Sequence, residues 1–284
     1  MSQSCVVVIP VYKTNPKPSE IASFKQCLTV LNDHEIVLVT YKECGLSVYD
    51  KISDIIGKKY KVVFFNKSYF NSLEAYNKLC LSTVFYDKFI SYEYMLIYQL
   101  DAWVFSDQLQ YWCDKDYDYI GAPLFYDNEP TVFIGVGNGG FSLRRIRYCK
   151  DLLSKNRNRP YIKPYFLWKW IYASQKNILK KKYGVLSFSV VVIKVLLGSF
   201  GFRNTLNFLI NSSDFNEDFI LGVWGSQAWN VKAKIPSSEE ASLFAFEVNP
   251  SYLYEKNSKL PFGCHAFEKW EFDKFWYKYI RIEL

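Results

Sequence analysis

Hydrophobic positions in the first third of the chain fall into short continuous runs, and segments of helical spacing separate them. "CVVVIPVY" (5–12) is a run of β-branched residues broken by a proline, the pattern of a strand buried on both faces. "SEIASFKQCLTVL" (19–31) repeats its apolar positions at helical intervals, with Ser19 placed to cap it. "EIVLVTY" (35–41) predicts a second buried strand, "VYDKISDIIGKK" (48–59) a short helix, and "YKVVFFN" (60–66) a third strand. "SLEAYNKLCLSTVFYDKF" (72–89) predicts another helix, and 94–105 a fourth strand. Strand and helix alternate, so the expected fold class is α/β, a mostly parallel sheet flanked by helices. Beyond residue 105, "YDYIGAP" and "VGNGGFSLRR" read as strand-and-loop segments that make the sheet mixed. No repeat or low-complexity linker divides the chain, so residues 1–284 are read as one domain with a basic helical insertion at 152–213.

Within the fourth run, "LIYQLDAWVF" (96–105), Asp101 stands among apolar neighbours. A carboxylate there carries a heavy desolvation cost unless a cation or a hydrogen-bond donor meets it. Open α/β sheets bind ligands at the carboxyl ends of their strands. Gln99, two residues earlier, would share a strand face with Asp101. A divalent cation bridging nucleotide phosphates would explain the acid; a structural aspartate capping a loop would explain it equally well.

Other segments add to this stretch. "VVVIPVYK", "YQLDAW", "GVGNGGFSLRR", "NEDFILG" and "PFGCHAF" follow one another along the chain. In that order the sequence resembles the GT-A glycosyltransferases, which use nucleotide sugars on a Rossmann-like sheet, and within them a bacterial branch known only as a domain of unknown function. The resemblance covers about residues 4–150 and 214–270. It implies an Asp-X-Asp-like motif with Gln99 in place of the first acid, and a glycine-rich loop bordering the donor sugar at Gly139 and Gly140. It implies a Glu-Asp motif at Glu217 and Asp218, and a metal site completed by His265.

The implied reaction moves a sugar from a nucleoside-diphosphate donor, a UDP-sugar favoured, to a hydroxyl of a glycan or lipid-linked glycan. Asp101 and His265 would hold the metal, and a histidine ligand leans toward Mn²⁺ over Mg²⁺. Asp218 would be the catalytic base, with Glu217 binding acceptor hydroxyls or orienting the loop, on a helix that Asn216 caps. Pro10, Val11, Tyr12 and Thr40 at the ends of the first two strands would meet base and ribose. Asn77 and Lys78 would lie near the donor. Asn138 and Ser142 offer donors for sugar hydroxyls. Arg144 or Arg145 would pair with an acid or phosphate, or lie on the surface. Two rivals remain: a sugar nucleotidyltransferase, which wants a glycine-rich basic loop where "PVYKTNPKP" has no glycine, and a non-catalytic carbohydrate-binding protein.

Composition refines the picture in three places. Half the residues are hydrophobic and 19% aromatic, so the chain is globular. Seven cysteines, an odd number with no CxxC pair, predict free thiols and a reducing cytoplasm, and "MSQSCVVVIPVYK" has no secretory-signal pattern. Charge is uneven: residues 152–213 hold 11 Lys and Arg and no acid, leaving 24 basic against 28 acidic residues elsewhere. This suggests a local anionic partner rather than a generally basic protein, and no nucleic-acid partner is expected. The lysines at 180–182 and the aromatic residues Trp168, Trp170 and Tyr172 suit peripheral membrane contact through 160–211. A helical insertion with solvated lysines suits them too. A spanning helix over 184–202 is marginal, since three glycines, three serines and Lys194 interrupt it.

Overall fold

A computed structural model of the chain describes residues 5–126, 129–155, 157–158, 160, 197, 200–202, 205–211, 216–224 and 233–282. Its strands are β1 (Cys5–Pro10), β2 (Glu35–Thr40), β3 (Lys61–Phe64), β4 (Tyr94–Tyr98), β5 (Trp103–Val104), β6 (Tyr119–Ile120), β7 (Pro123–Tyr126), β8 (Glu129–Val136), β9 (Phe141–Arg145), β10 (Ala245–Phe246) and β11 (Gly263–Cys264). The central sheet has the order β3-β2-β1-β4-β9-β6. Its first four strands are parallel, and β9 runs antiparallel to both β4 and β6. The fold is therefore mixed α/β with a mainly parallel sheet flanked by helices.

The β-branched runs form the inner strands because helices cover both sheet faces, so alternation is unnecessary. Val6, Val7, Val8 and Ile9 are all buried, as are Ile36 to Val39. β3 is an edge, with Lys61 and Phe64 exposed at its ends. The helices α1 (Pro18–Val30), α2 (Ser47–Ile56), α3 (Leu73–Cys80), α4 (Thr83–Asp87), α5 (Leu109–Asp114) and α6 (Ile146–Lys155) fill the connections. A smaller sheet, β10-β11-β5, adds a second aromatic cluster around Trp276, Phe246 and Phe267.

Local chemistry moves several expected boundaries. Helix α1 starts one residue early, at Pro18; Glu20 reaches back to accept the Lys17 N–H at 2.7 Å, so it ties the first turn while Ser19 is buried inside it. The helix expected over 72–89 is two, because Ser82 Oγ accepts the Phe85 N–H and starts α4. The strand expected over 94–105 stops at Tyr98. A turn follows, closed by the Ala102 N–H on the Gln99 carbonyl at 2.9 Å, and the chain then leaves the central sheet for β5. Asp101 is thus not in the middle of a strand. A strand packed on both faces would bury its carboxylate, and the turn places it at the sheet's carboxyl edge instead.

The expected insertion at 152–213, with its 160–211 segment, lies mostly outside the described residues. Among the described residues no helix is long and apolar enough to cross a membrane.

Gly121, between β6 and β7, fixes how close the next loop can come. A Cβ there would sit 1.8 Å from the Gly137 carbonyl oxygen. Since that neighbour is backbone, Gly121→Ala is expected to cost at least about 1–3 kcal/mol as an overpacking change, read as a lower urea midpoint with an unchanged denaturant slope.

Candidate functional site

The loop Gly137–Gly140 joins β8 to β9 and lies where the strands of the central sheet end. It is tied in from three sides. Gln99 N–H donates to the Gly140 carbonyl at 2.8 Å, Tyr119 Oη–H to the Asn138 carbonyl at 3.1 Å, and Asn138 N–H to Asp218 Oδ2 at 2.7 Å. Asn138 takes a left-handed backbone (φ 70°), which its side chain tolerates by accepting the Gly140 N–H at 3.2 Å. A Cβ on Gly139 would fall 2.0 Å from Glu217 Oε1, and one on Gly140 would fall 1.9 Å from His265 Nε2. Missing side chains thus let an acid and an imidazole press against one short piece of backbone. The adjacent pair Glu217–Asp218 and His265, far from it in sequence, converge on it.

His265 follows β11 and answers the question Asp101 raises. Its Nε2 lies 3.2 Å from Asp101 Oδ1 and 3.2 Å from Gln99 Oε1. On the other side Nδ1 lies 3.2 Å from Glu247 Oε1. Glu247 follows β10, which pairs with β11 in register, so the ladder sets the two side chains next to each other. Phe267 N–H donates to the Asp101 carbonyl at 3.3 Å and fixes the turn to the same segment. Burial opposes charge on the imidazole, but Asp101 and Glu247 outweigh it and push its pKa up to about 10. Protonated on both nitrogens, His265 donates to Glu247 on one side and to Asp101 and Gln99 on the other. Burial likewise works to raise the Asp101 carboxyl, yet His265 outweighs it and holds that group below the usual range.

The Glu-Asp pair divides into two environments. Glu217 meets Arg144, which is fully buried, at 2.8 Å. Arg144 also donates to the Gly139 carbonyl at 3.1 Å and to Ser142 Oγ at 3.0 Å. A surface place for Arg144 is therefore excluded: its guanidinium braces the loop from below. Arg145 instead joins Asp116, Asp118 and Glu93 nearer the surface. Asp218 is half-buried, and its other oxygen accepts the Phe219 N–H at 2.8 Å, where a π-helical turn, Phe219–Trp224, replaces the expected α-helix. Burial first, then Glu217 and Glu247, push its carboxyl up to about 7. Asn216 Oδ1 accepts from Asn77 Nδ2 at 3.0 Å.

Beside the turn at 99–101 opens a cavity of ≈ 580 Å³. Pro10, Tyr12, Gln99 and Asp101 line it, together with Lys13, Glu20, Tyr49, Tyr76 and Lys269, none of which stood out in the sequence. Val11 and Thr40 do not line it; both are fully buried under the sheet edge. Asn77 and Lys78 face a separate hollow of ≈ 50 Å³ beside Asn216. Asp218 and His265 reach the cavity only through the loop and through Asp101. Glu247 was also missed, since a single acid after two apolar residues carries no periodic signal. Among the described residues no three His, Cys, Asp or Glu side chains cluster as a metal cage.

The chain belongs to the DUF5672 family, described as a protein of unknown function, whose model matches residues 59–265. No protein of curated function matches it. Several solved structures are similar in shape. Core-mannan synthase A from Aspergillus fumigatus, in a Mn/GDP form, shares 11% identity at a TM-score of 0.35, over 51% of this chain and 60% of that one. The apo-form glycosyltransferase GlyE of Streptococcus pneumoniae TIGR4 shares 11% at 0.42, over 93% of this chain and 54% of that one. The galactosyltransferase LgtC, solved with donor and acceptor sugar analogs, shares 12% at 0.42, over 92% and 86%. The chain thus spans less than two thirds of the first two.

Two stability effects follow. Glu217→Ala strands a fully buried guanidinium and should cost about 3–5 kcal/mol in denaturant unfolding. Asp218 behaves differently. Its folded carboxyl, at about 7 against an ordinary 3.8, holds its proton more tightly than the unfolded chain does. The stability this gives is present below about 3.8 and is lost as pH rises toward about 7. Asp218→Asn should therefore gain on the wild type between pH 5 and pH 8, measured as the difference in urea midpoints.

Proposed function

We propose that this member of the DUF5672 family is an inverting, metal-assisted glycosyltransferase of GT-A type. It moves one sugar from a nucleoside-diphosphate donor to a hydroxyl of a growing surface glycan or lipid-linked glycan. The observation that carries the reading is the convergence of His265 and Asp218 on the Gly137–Gly140 loop, with Asp101 3.2 Å from His265 in the wall of a cavity of ≈ 580 Å³. That volume suits a nucleotide sugar.

The residues present fit a divalent ion that a diphosphate helps to hold. Asp101 Oδ1 and Gln99 Oε1 each lie 3.2 Å from His265 Nε2, where a bound ion would take the place of the Nε2 proton, and Glu247 orients the imidazole from behind. One imidazole with two oxygen donors favours Mn²⁺, with Mg²⁺ as the harder alternative. The charge balance of the cavity agrees. Lys13, Lys17 and Lys269 oppose Glu20, Asp101 and Glu268, so a cation on Asp101 would turn a neutral lining toward anions. When bound, such an ion supplies Lewis-acid neutralisation of the leaving diphosphate.

The protein's own groups do the rest. Gly139 and Gly140 let Glu217 and His265 pack directly against the loop backbone. Asp218 takes the proton of the acceptor hydroxyl as that oxygen attacks the anomeric carbon. A carboxyl near 7 is matched to this task at neutral pH, and each of its oxygens keeps a free lone pair beyond the backbone bond it accepts. Glu217, held by Arg144, keeps the loop in place.

A panel of nucleotide sugars, with and without EDTA, tests this. Asp101→Ala should abolish transfer and weaken donor binding. Asp218→Asn should lower turnover by about 10²–10⁴-fold while keeping donor affinity. Full activity in Asp218→Asn would move the base elsewhere. Pyrophosphate exchange would instead mark a nucleotidyltransferase, and glycan binding without turnover a carbohydrate-binding protein.

A further inference from the structure

The segment after β1 carries a cation that the structure holds in place. Lys13 is half-buried at the mouth of the large cavity, and its Nζ lies 2.6 Å from Glu20 Oε1. The same carboxylate accepts the Lys17 N–H through Oε2 at 2.7 Å, so Glu20 anchors the loop and the lysine together. Two further bonds fix this loop. Tyr49 Oη–H donates to the Lys13 carbonyl at 3.1 Å, and Gly45 N–H donates to Thr14 Oγ1 at 3.2 Å. Gly45 packs close to the same side chain, since a Cβ on it would meet Thr14 Cγ2 at 2.7 Å.

An ammonium has three N–H donors, and Glu20 takes one of them. The flexible lysine stem has therefore had its ordering cost met by Glu20 before any ligand arrives. Lys17 and Lys269, the other two lysines of the cavity, are exposed at its rim. Lys13 alone of the three is pinned by a carboxylate that is itself only 12% exposed. It lines the same cavity as Asp101.

We infer that Lys13 is the residue that binds the terminal phosphate of the donor's diphosphate, and that Glu20 is its positioning residue. This deepens the transferase reading and rests on it. Both residues lie outside the stretch matched by the family model, residues 59–265.

The test is binding rather than turnover. Isothermal titration with UDP, GDP, ADP and CDP, in EDTA, identifies which nucleoside diphosphate the wild-type protein binds; the matching monophosphate is the control. Lys13→Met should weaken the diphosphate about 10- to 100-fold, the scale of one charge-assisted hydrogen bond. It should leave the monophosphate within about 3-fold, and Lys13→Arg should restore most of the diphosphate affinity. Glu20→Gln should weaken the diphosphate by a smaller factor, again sparing the monophosphate. A wild-type protein that binds none of the four nucleotides, with or without Mn²⁺, would overturn the transferase reading itself. Wild-type binding with Lys13→Met and wild-type Kd values equal would overturn only the role of Lys13. Parallel weakening of mono- and diphosphate would overturn it as well, because the lysine would then not face the terminal phosphate. Thermal melts of each variant confirm folding, and Glu20→Gln, with its selective loss of diphosphate affinity, carries the test if Lys13→Met unfolds.

Discussion

Close approach to the backbone of Gly137–Gly140 is the constraint on which the rest of this molecule depends. Four residues without bulky side chains receive a carboxylate beneath Gly139, an imidazole against Gly140 and a second carboxylate on the Asn138 N–H. The groups that do this come from the two residues before the π-helical turn and from the residue after β11, which no local sequence preference would bring together. The sheet does so by topology. β9, the strand that follows the loop, lies beside β4 in the central sheet, and the chain leaves β4 for β5, which pairs with β11. Each strand end is thereby delivered to one edge.

Electrostatics explains why the arrangement is stable despite so many acids in one place. Glu217 is neutralised by Arg144, and both are almost fully buried. Because the pair also holds the Gly139 carbonyl and Ser142 Oγ, its hydrogen-bonding groups are largely satisfied, which a buried ion pair requires. Asp101 and Glu247 share the imidazolium between them. Asp218 has no cation of its own among the described residues, and burial first, then Glu217 and Glu247, push its carboxyl up to about 7. A group under such pressure is a candidate for proton transfer, whereas its neighbours are fixed as structural charges.

Much of the fold was legible in the chain. Continuous β-branched runs marked strands buried on both faces, and the helical spacing between them marked a parallel arrangement. The candidate acids were legible as well, because Asp101 and the Glu217–Asp218 pair stand out against apolar surroundings. What could not be read was tertiary. The turn at Leu100–Asp101 looks like strand because only a packed second face makes a buried carboxylate there too costly. The sequence leaves Arg144 open between an acid partner and the surface because that partner, Glu217, is 73 positions away. Glu247 gave no signal, since its partner His265 is 18 positions away, and Glu20 reads as an ordinary first-turn acid. Val11 and Thr40 sit at strand ends as expected, but the sheet edge buries them.

The central claim is spatial: one loop gathers the base, the acid and the imidazole around a single donor. A crystal structure with UDP and Mn²⁺ bound tests it most directly. The account predicts the diphosphate in the cavity beside Asp101, with the ion on Asp101 and His265, and the Asp218 carboxylate within reach of the anomeric position at the Gly139–Gly140 backbone. A nucleotide bound in another part of the molecule, or one whose phosphates lie away from Asp101 with Asp218 out of reach, would contradict it.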